Sequence, residues 1–251
     1  MHHLLCDTFG LLAILAALTG RTAADPTAVA AAEVVWKQIG EAQGVVGMAA
    51  VGGKLFAATA ANKLVVCDPV AATVVWREIG EVPGRVVAMG VADGKLFAST
   101  STRSGTLHLR DAVETPAAWQ HIGHCWCCVG MAGSAAMPGK IYGAIVVNNG
   151  AAGVAESIMV RATTPADVPW ATAKAGQRPP LGILAFAEVA DKFYAVTSED
   201  NLFVRGLTQA DNAWRLLGDA GGVTILAGGD GKLFATTKAG RLLMRQPKED
   251  F

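Results

Sequence analysis

The densest run of reactive side chains is His121-Ile122-Gly123-His124-Cys125-Trp126-Cys127-Cys128. Imidazole and thiolate groups bind soft or borderline metals such as zinc and copper(I), which makes His121, His124, Cys125, Cys127 and Cys128 candidate ligands. The spacing departs from a structural zinc pair. Cys-x-Cys-Cys lacks the two-residue gap of a zinc knuckle, and no second cysteine pair follows. In an oxidising compartment the same residues could form a Cys125–Cys128 or Cys127–Cys128 disulfide, and in a packed loop they could stay thiols. All three states are open on residue type alone; the default expectation is no metal and no cofactor. Cys67 stands apart from the cluster and reads as a solitary buried thiol, and Cys6 lies in the N-terminal run.

Other chemistry is sparse. There is no Gly-x-Ser-x-Gly elbow, no phosphate-binding glycine loop before a helix and no His-Glu-x-x-His. The acids Asp68, Asp93, Glu188, Asp191 and Asp230 could converge as a glycosidase pair would, but they fall mostly where turns are expected, and turns favour Asp. No catalytic residue is assigned, and a non-enzymatic protein is expected. Formal net charge is zero, which removes the basic footprint of a nucleic-acid binder.

The elements that must carry these residues are announced by repetition. Gly53-Lys54-Leu55-Phe56 returns as Gly94-Lys95-Leu96-Phe97 and Gly231-Lys232-Leu233-Phe234. Looser copies are Gly139-Lys140-Ile141-Tyr142 and Asp191-Lys192-Phe193-Tyr194. Each copy follows a small-residue run such as 45–51, 86–92 or 222–228, and precedes a strand in which Arg follows Leu or Ile by three residues. Those pairs are Leu107/Arg110, Ile158/Arg161, Leu202/Arg205 and Leu242/Arg245, with Leu64/Cys67 in the first unit. A Trp with an Ile-Gly or Leu-Gly step shortly after it opens the next unit, at Trp36, Trp76, Trp119 and Trp214; Trp170 lacks the step.

Trp-to-Trp spacings of 40, 43, 51 and 44 residues (36→76→119→170→214) match the length of a β-propeller blade of four short strands. Helical solenoids share the period, but these phrases are rich in Val, Ile, Phe and Thr and are punctuated by Asp-Gly and Gly-Lys turns. The expectation is an all-β, five-bladed β-propeller over residues 33–251, four antiparallel strands per blade. The 33–39 strand should complete the last blade, joining the two ends of the chain and removing free sheet edges. The innermost strands should be the small-residue runs. Phe56, Phe97, Tyr142, Phe193 or Tyr194, and Phe234 should fill the space between blades, and each Trp should anchor an outer strand. Recurring Lys54, Lys95, Lys140, Lys192 and Lys232 read as hairpin residues rather than a ring of cations, and the Arg positions as partners for inter-blade carbonyls.

Ahead of the repeats, residues 9–18 form an apolar run about half the length of a membrane-spanning helix. Thr22-Ala23-Ala24 then supplies small residues of the kind a signal peptidase accepts. Residues 1–24 therefore read as a signal peptide, although without a Lys or Arg in the n-region, and 25–32 as a spacer. Secreted or periplasmic localisation follows, with no integral span in the mature chain.

The Trp–Ile-Gly step, the Gly-Lys-Leu-aromatic strand and the Leu-x-x-Arg strand, in a unit repeated five times with the variations above over about residues 33–246, resemble the tectonin and tachylectin class of β-propellers. The resemblance implies a lectin-like recognition module binding sugars in pockets repeated around the ring. Only two tyrosines are present, Tyr142 and Tyr194, and no ligand residue of that class carries over onto a position here. The expected function is a monomeric, secreted, non-enzymatic recognition module with glycans as the favoured partner; the alternative is a protein–protein interaction platform without a small ligand. The places where the copies differ are the Cys-rich segment, the insertion 148–153 and Pro179-Pro180.

Overall fold

The computed structural model describes residues 34–247 except 102–104, 126–127, 149–153, 165, 174–178 and 208–212. The proposed signal peptide and spacer, Trp126, Cys127 and nearly all of the 148–153 insertion lie outside the described residues. Twenty strands form five antiparallel sheets of four. Blade 1 is β2 (Val45–Val51), β3 (Lys54–Thr59), β4 (Lys63–Cys67) and β5 (Arg77–Glu81). Blade 2 is β6 (Val86–Ala92), β7 (Lys95–Thr100), β8 (Thr106–Asp111) and β9 (Gln120–His124). Blade 3 is β10 (Cys128–Gly133), β11 (Lys140–Asn148), β12 (Val154–Ala162) and the two-residue β13 (Ala171–Thr172). Blade 4 is β14 (Ile183–Val189), β15 (Lys192–Thr197), β16 (Asn201–Gly206) and β17 (Arg215–Asp219). Blade 5 takes β18 (Val223–Gly229), β19 (Lys232–Thr237) and β20 (Arg241–Arg245) from the end of the chain, and β1 (Lys37–Glu41) from its beginning. No helix among the described residues is long and apolar enough to cross a membrane.

The closure expected from the sequence is formed. β1 pairs with β20, Lys37 opposite Met244 and Glu41 opposite Arg241, so neither strand is left with two open edges. The strand runs over 37–41 rather than 33–39: Trp36 precedes it, as each Trp precedes its outer strand.

The inner strands are small-residue strands because they crowd one another. A Cβ on Gly90 would sit 2.6 Å from the Met131 carbonyl carbon, and one on Gly130 would sit 2.8 Å from Phe186 N, each in the next inner strand. Glycine is the residue that fits at these two positions, with alanine at neighbouring ones such as Ala49, Ala88 and Ala187. Farther out the blades diverge and large side chains fill the gap. Phe56 of blade 1 packs with Leu96 of blade 2, Phe97 with Ile141 of blade 3, Tyr142 with Phe193 of blade 4, Tyr194 with Leu233 of blade 5, and Phe234 with Leu55 of blade 1. Register resolves the ambiguity in the fourth copy: Tyr194, opposite Ala187, holds the position that Phe56 holds opposite Ala49.

The Ile-Gly step is a β-bulge. Gly80 pairs with Leu64 and Glu78 with Val65, so Ile79 has no partner and turns into the core. Gly80 takes φ +145°, a conformation that favours glycine, and Gly123 repeats it at φ +123°. The outer strand of blade 3 lacks the step and is reduced to two residues.

Candidate functional site

The Cys–His run divides between two blades. His121 and His124 lie exposed on β9, the outer strand of blade 2, whereas Cys125 and Cys128 are buried in the core between blades 2 and 3. No disulfide joins Cys125 to Cys128. The Cys125 N–H donates to Gly105 O (2.7 Å) within blade 2, while Cys128 begins the inner strand of blade 3 and directs its thiol to Gly130 O (3.2 Å). The imidazoles have a different neighbour. His108, on the adjacent strand, has its ring centroid 5.4 Å from that of His121, and His121 lies 5.9 Å from His124. Partial burial and the neighbouring His121 hold His108 below the usual imidazole range. Among the described residues no three ligating side chains converge on one point. His108 escaped sequence reasoning because it sits on another strand; only the β8–β9 register brings it beside His121.

Several of the recurring charges are engaged in blade architecture. Lys54 pairs with Asp68 (3.3 Å) and Lys95 with Asp111 (2.8 Å), each linking the second strand of a blade to the end of the third. Asp93, Asp191 and Asp230 occupy the turns after the inner strands with φ of +51° to +61°. From there Asp93 accepts from Gly139 N (3.1 Å) and Asp230 from Gly53 N (2.8 Å), each tying a turn to the next blade. Asp68 accepts from Val70 N and from Lys54, which hold its carboxyl below the usual range. Glu188 departs from the turn expectation. It lies on inner strand β14 beside a space of about 20 Å³, room for one water, that Met48, Gly90, Met131 and Ala227 also line, and Ser134 hydrogen-bonds to its carboxyl. Burial raises its carboxyl to about 7, although Asp191 N–H donates to it at 2.7 Å.

The arginines and tryptophans build a recurring groove between adjacent blades. Arg110, Arg161 and Arg205 each precede a Trp by nine residues, and each guanidinium lies over that ring, 5.7, 5.9 and 5.6 Å from its centroid. The Trp76, Trp119 and Trp170 indoles donate to Glu41 O, Glu81 O and His124 O of the preceding outer strand at 2.8–2.9 Å. Each of these three Trp is thus an inter-blade anchor. Arg110 donates Nε to Asp111 O and Nη2 to Val113 O and Thr115 O, fastening the loop that leads to Trp119. Arg161 reaches across the interface, donating Nη2 to Ile122 O of blade 2 (3.1 Å). Burial lowers the pKa of both guanidinium groups, which remain cationic.

The groove over Arg110 is open. Between blades 1 and 2 a cavity of about 270 Å³ is lined by Ile79, Gly80 and Glu81 on one wall, Pro116, Ala117 and Ala118 on the other, and Arg110 between them. Its outer wall is held in place by Arg77 Nη2 on Glu114 Oε2 (2.5 Å). The Glu81 carboxylate is drawn away to Lys63 (3.0 Å). This groove combines room, a fixed cation and apolar walls, which suit it to hold a small ligand.

No family model matches the chain, and no curated protein matches it. Among solved structures, that of YjhT is similar over 79% of this chain and 74% of that one, with 13% identity and a TM-score of 0.50. A nidogen/laminin complex is similar over 77% and 72% at 9% identity, with a TM-score of 0.47. The computationally designed Ika8 protein is similar over 80% and 70% at 13% identity, with a TM-score of 0.37. At these identities the likeness concerns the fold. The chain is a five-bladed β-propeller.

Proposed function

We propose that this protein is a secreted, non-enzymatic recognition module of the tectonin and tachylectin type, and that it holds its ligand in the groove between blades 1 and 2. The supporting observation is that Arg110 groove: a cavity of about 270 Å³ with preset walls, in a molecule whose other recurring charges largely tie blades and turns together. Carbohydrate is the favoured ligand class, because a cation beside small apolar walls offers both a polar anchor and a surface for a sugar ring. Export follows from the apolar run at 9–18 and the small residues at 22–24.

A glycan array probed with protein recovered from the extracellular or periplasmic fraction tests this reading. Binding to a defined subset of glycans is expected. No binding at high protein concentration would remove the carbohydrate part and favour the protein-partner reading, which pull-down insensitive to free sugars would then support.

A further inference from the structure

We propose that the groove over Arg110 recognises a carboxylate, so that the sugar bound there is an acidic one; this rests on the recognition reading above. The argument comes from three grooves of the same build with three different contents. Between blades 5 and 1 the arginine position is Cys67, and Val74 methyls lie 3.5 and 3.6 Å from where a Cβ on Gly40 would sit. That groove has no arginine at this position, and Val74 occupies the space beside its bulge glycine. Between blades 2 and 3 the cation is Arg161, and the bulge glycine, Gly123, faces the carboxylate of Asp167. A Cβ on Gly123 would meet Asp167 Cγ at 2.9 Å and Arg161 Nη1 at 3.4 Å. The protein therefore sets an acid of its own near this arginine, six residues after it in the chain; Asp167 favours the Arg161 cation through space, while Arg161 Nη1 makes no hydrogen bond.

Between blades 1 and 2 the cation is kept and the acid is gone. The residue six after Arg110 is Pro116, and nothing lies within 4 Å of where a Cβ on Gly80 would sit. Arg110 is 3% exposed and lines the cavity, and its three backbone bonds use Nε and Nη2 but not Nη1. A buried cation is costly without a counter-charge, and the acid acting on Arg110 is the adjacent Asp111, which is itself paired with Lys95. The place that Asp167 takes in one groove is open in the next, at the same bulge glycine and the same arginine. An incoming carboxylate set there would meet Arg110 as a charge-assisted acceptor, with its carbon body against Ile79, Pro116, Ala117 and Ala118. A single uronic acid unit matches a cavity of this size.

Isothermal titration of the full chain with glucuronate, acetate and glucose tests the proposal. Glucuronate should bind saturably and glucose at least roughly tenfold more weakly, with acetate between them. Pro116→Asp restores the internal acid of the neighbouring groove and should abolish glucuronate binding while retaining the circular dichroism spectrum. Should that variant fail to fold, Ala118→Glu places an acid on the exposed rim and should do the same. Asp167→Asn alters only the other groove and should leave the affinity unchanged. Equal affinity for glucose and glucuronate, or undiminished glucuronate binding in a folded acid variant, overturns the proposal. If neutral glycans bind and Pro116→Asp has no effect, carboxylate recognition fails while the recognition module stands. If carboxylates bind and Pro116→Asp removes them but the glycan array is blank, the carbohydrate reading fails and the groove remains a carboxylate site.

Discussion

Replacing Gly90 by Ala adds one methyl group at the ring of inner strands and tests why those strands are small. The added carbon would lie 2.6 Å from the Met131 carbonyl carbon and 2.7 Å from Met131 Cβ, against an ordinary contact of 3.4–4 Å. The third blade must therefore retreat by nearly 1 Å, and because its inner strand is pressed by blade 4 in turn, no side-chain rotation relieves it. Gly90 is not among the positive-φ residues, so no backbone strain is introduced, and the smaller unfolded-state entropy of alanine would by itself stabilise by about 0.4–1 kcal/mol. Overpacking costs about 1–3 kcal/mol, towards the upper end when backbone must move. A net loss of about 2 kcal/mol should lower Tm by roughly 4–8 °C in differential scanning calorimetry. Gly47→Ala is the comparison: its nearest neighbours are Met89 Cγ at 3.1 Å and Val86 Cγ1 at 3.2 Å, side-chain atoms that can yield, so its Tm should move by far less. A Tm for Gly90→Ala at or above that of the parent protein would refute the spacing argument.

Three further outcomes follow from the same geometry. The Glu188 pKa is raised to about 7 by burial, so its contribution to stability is full below the unfolded carboxyl value and is lost as pH rises through 7; Glu188→Gln should be more stable than the parent at pH 8 by roughly 1–3 kcal/mol and nearly equal at pH 4.5, in thermal melts across that range. Burial pushes the Cys67 thiol up to about 12, leaving on the order of one thiolate in ten thousand at pH 8; peptide mapping after iodoacetamide should find Cys67 unmodified in native protein and modified in denaturant. Removal of the chain through Glu41 deletes β1 and opens the β20 edge; light scattering after gel filtration should show species of higher mass than those of the parent protein.

The blade was legible because its determinants are local. Gly-Lys-Leu-Phe repeats at nearly constant spacing, and strand and turn chemistry could be read from each copy alone. Closure was legible from counting, since Trp36 lacked a blade before it and Arg245 lacked a Trp after it. The candidate groove was much less visible. Arg110 looked like one of four equivalent arginines, and the difference between Asp167 and Pro116 acquires meaning only when both are placed over a bulge glycine. Reading the nine-residue interval from Arg to Trp in register would have exposed it. The Cys–His run was conspicuous by composition, but β9 puts its imidazoles outside and Cys125 inside, a separation set by the bulge at Ile122.

The groove over Arg110 carries the functional account, and arginine-selective ¹⁵N NMR reads it directly. On titration with glucuronate, the Arg110 guanidinium resonances should shift in a saturable way while those of Arg161, whose groove already holds Asp167, stay in place. Parallel shifts of Arg110 and Arg161, or no Arg110 shift at ligand concentrations that saturate binding, would contradict it.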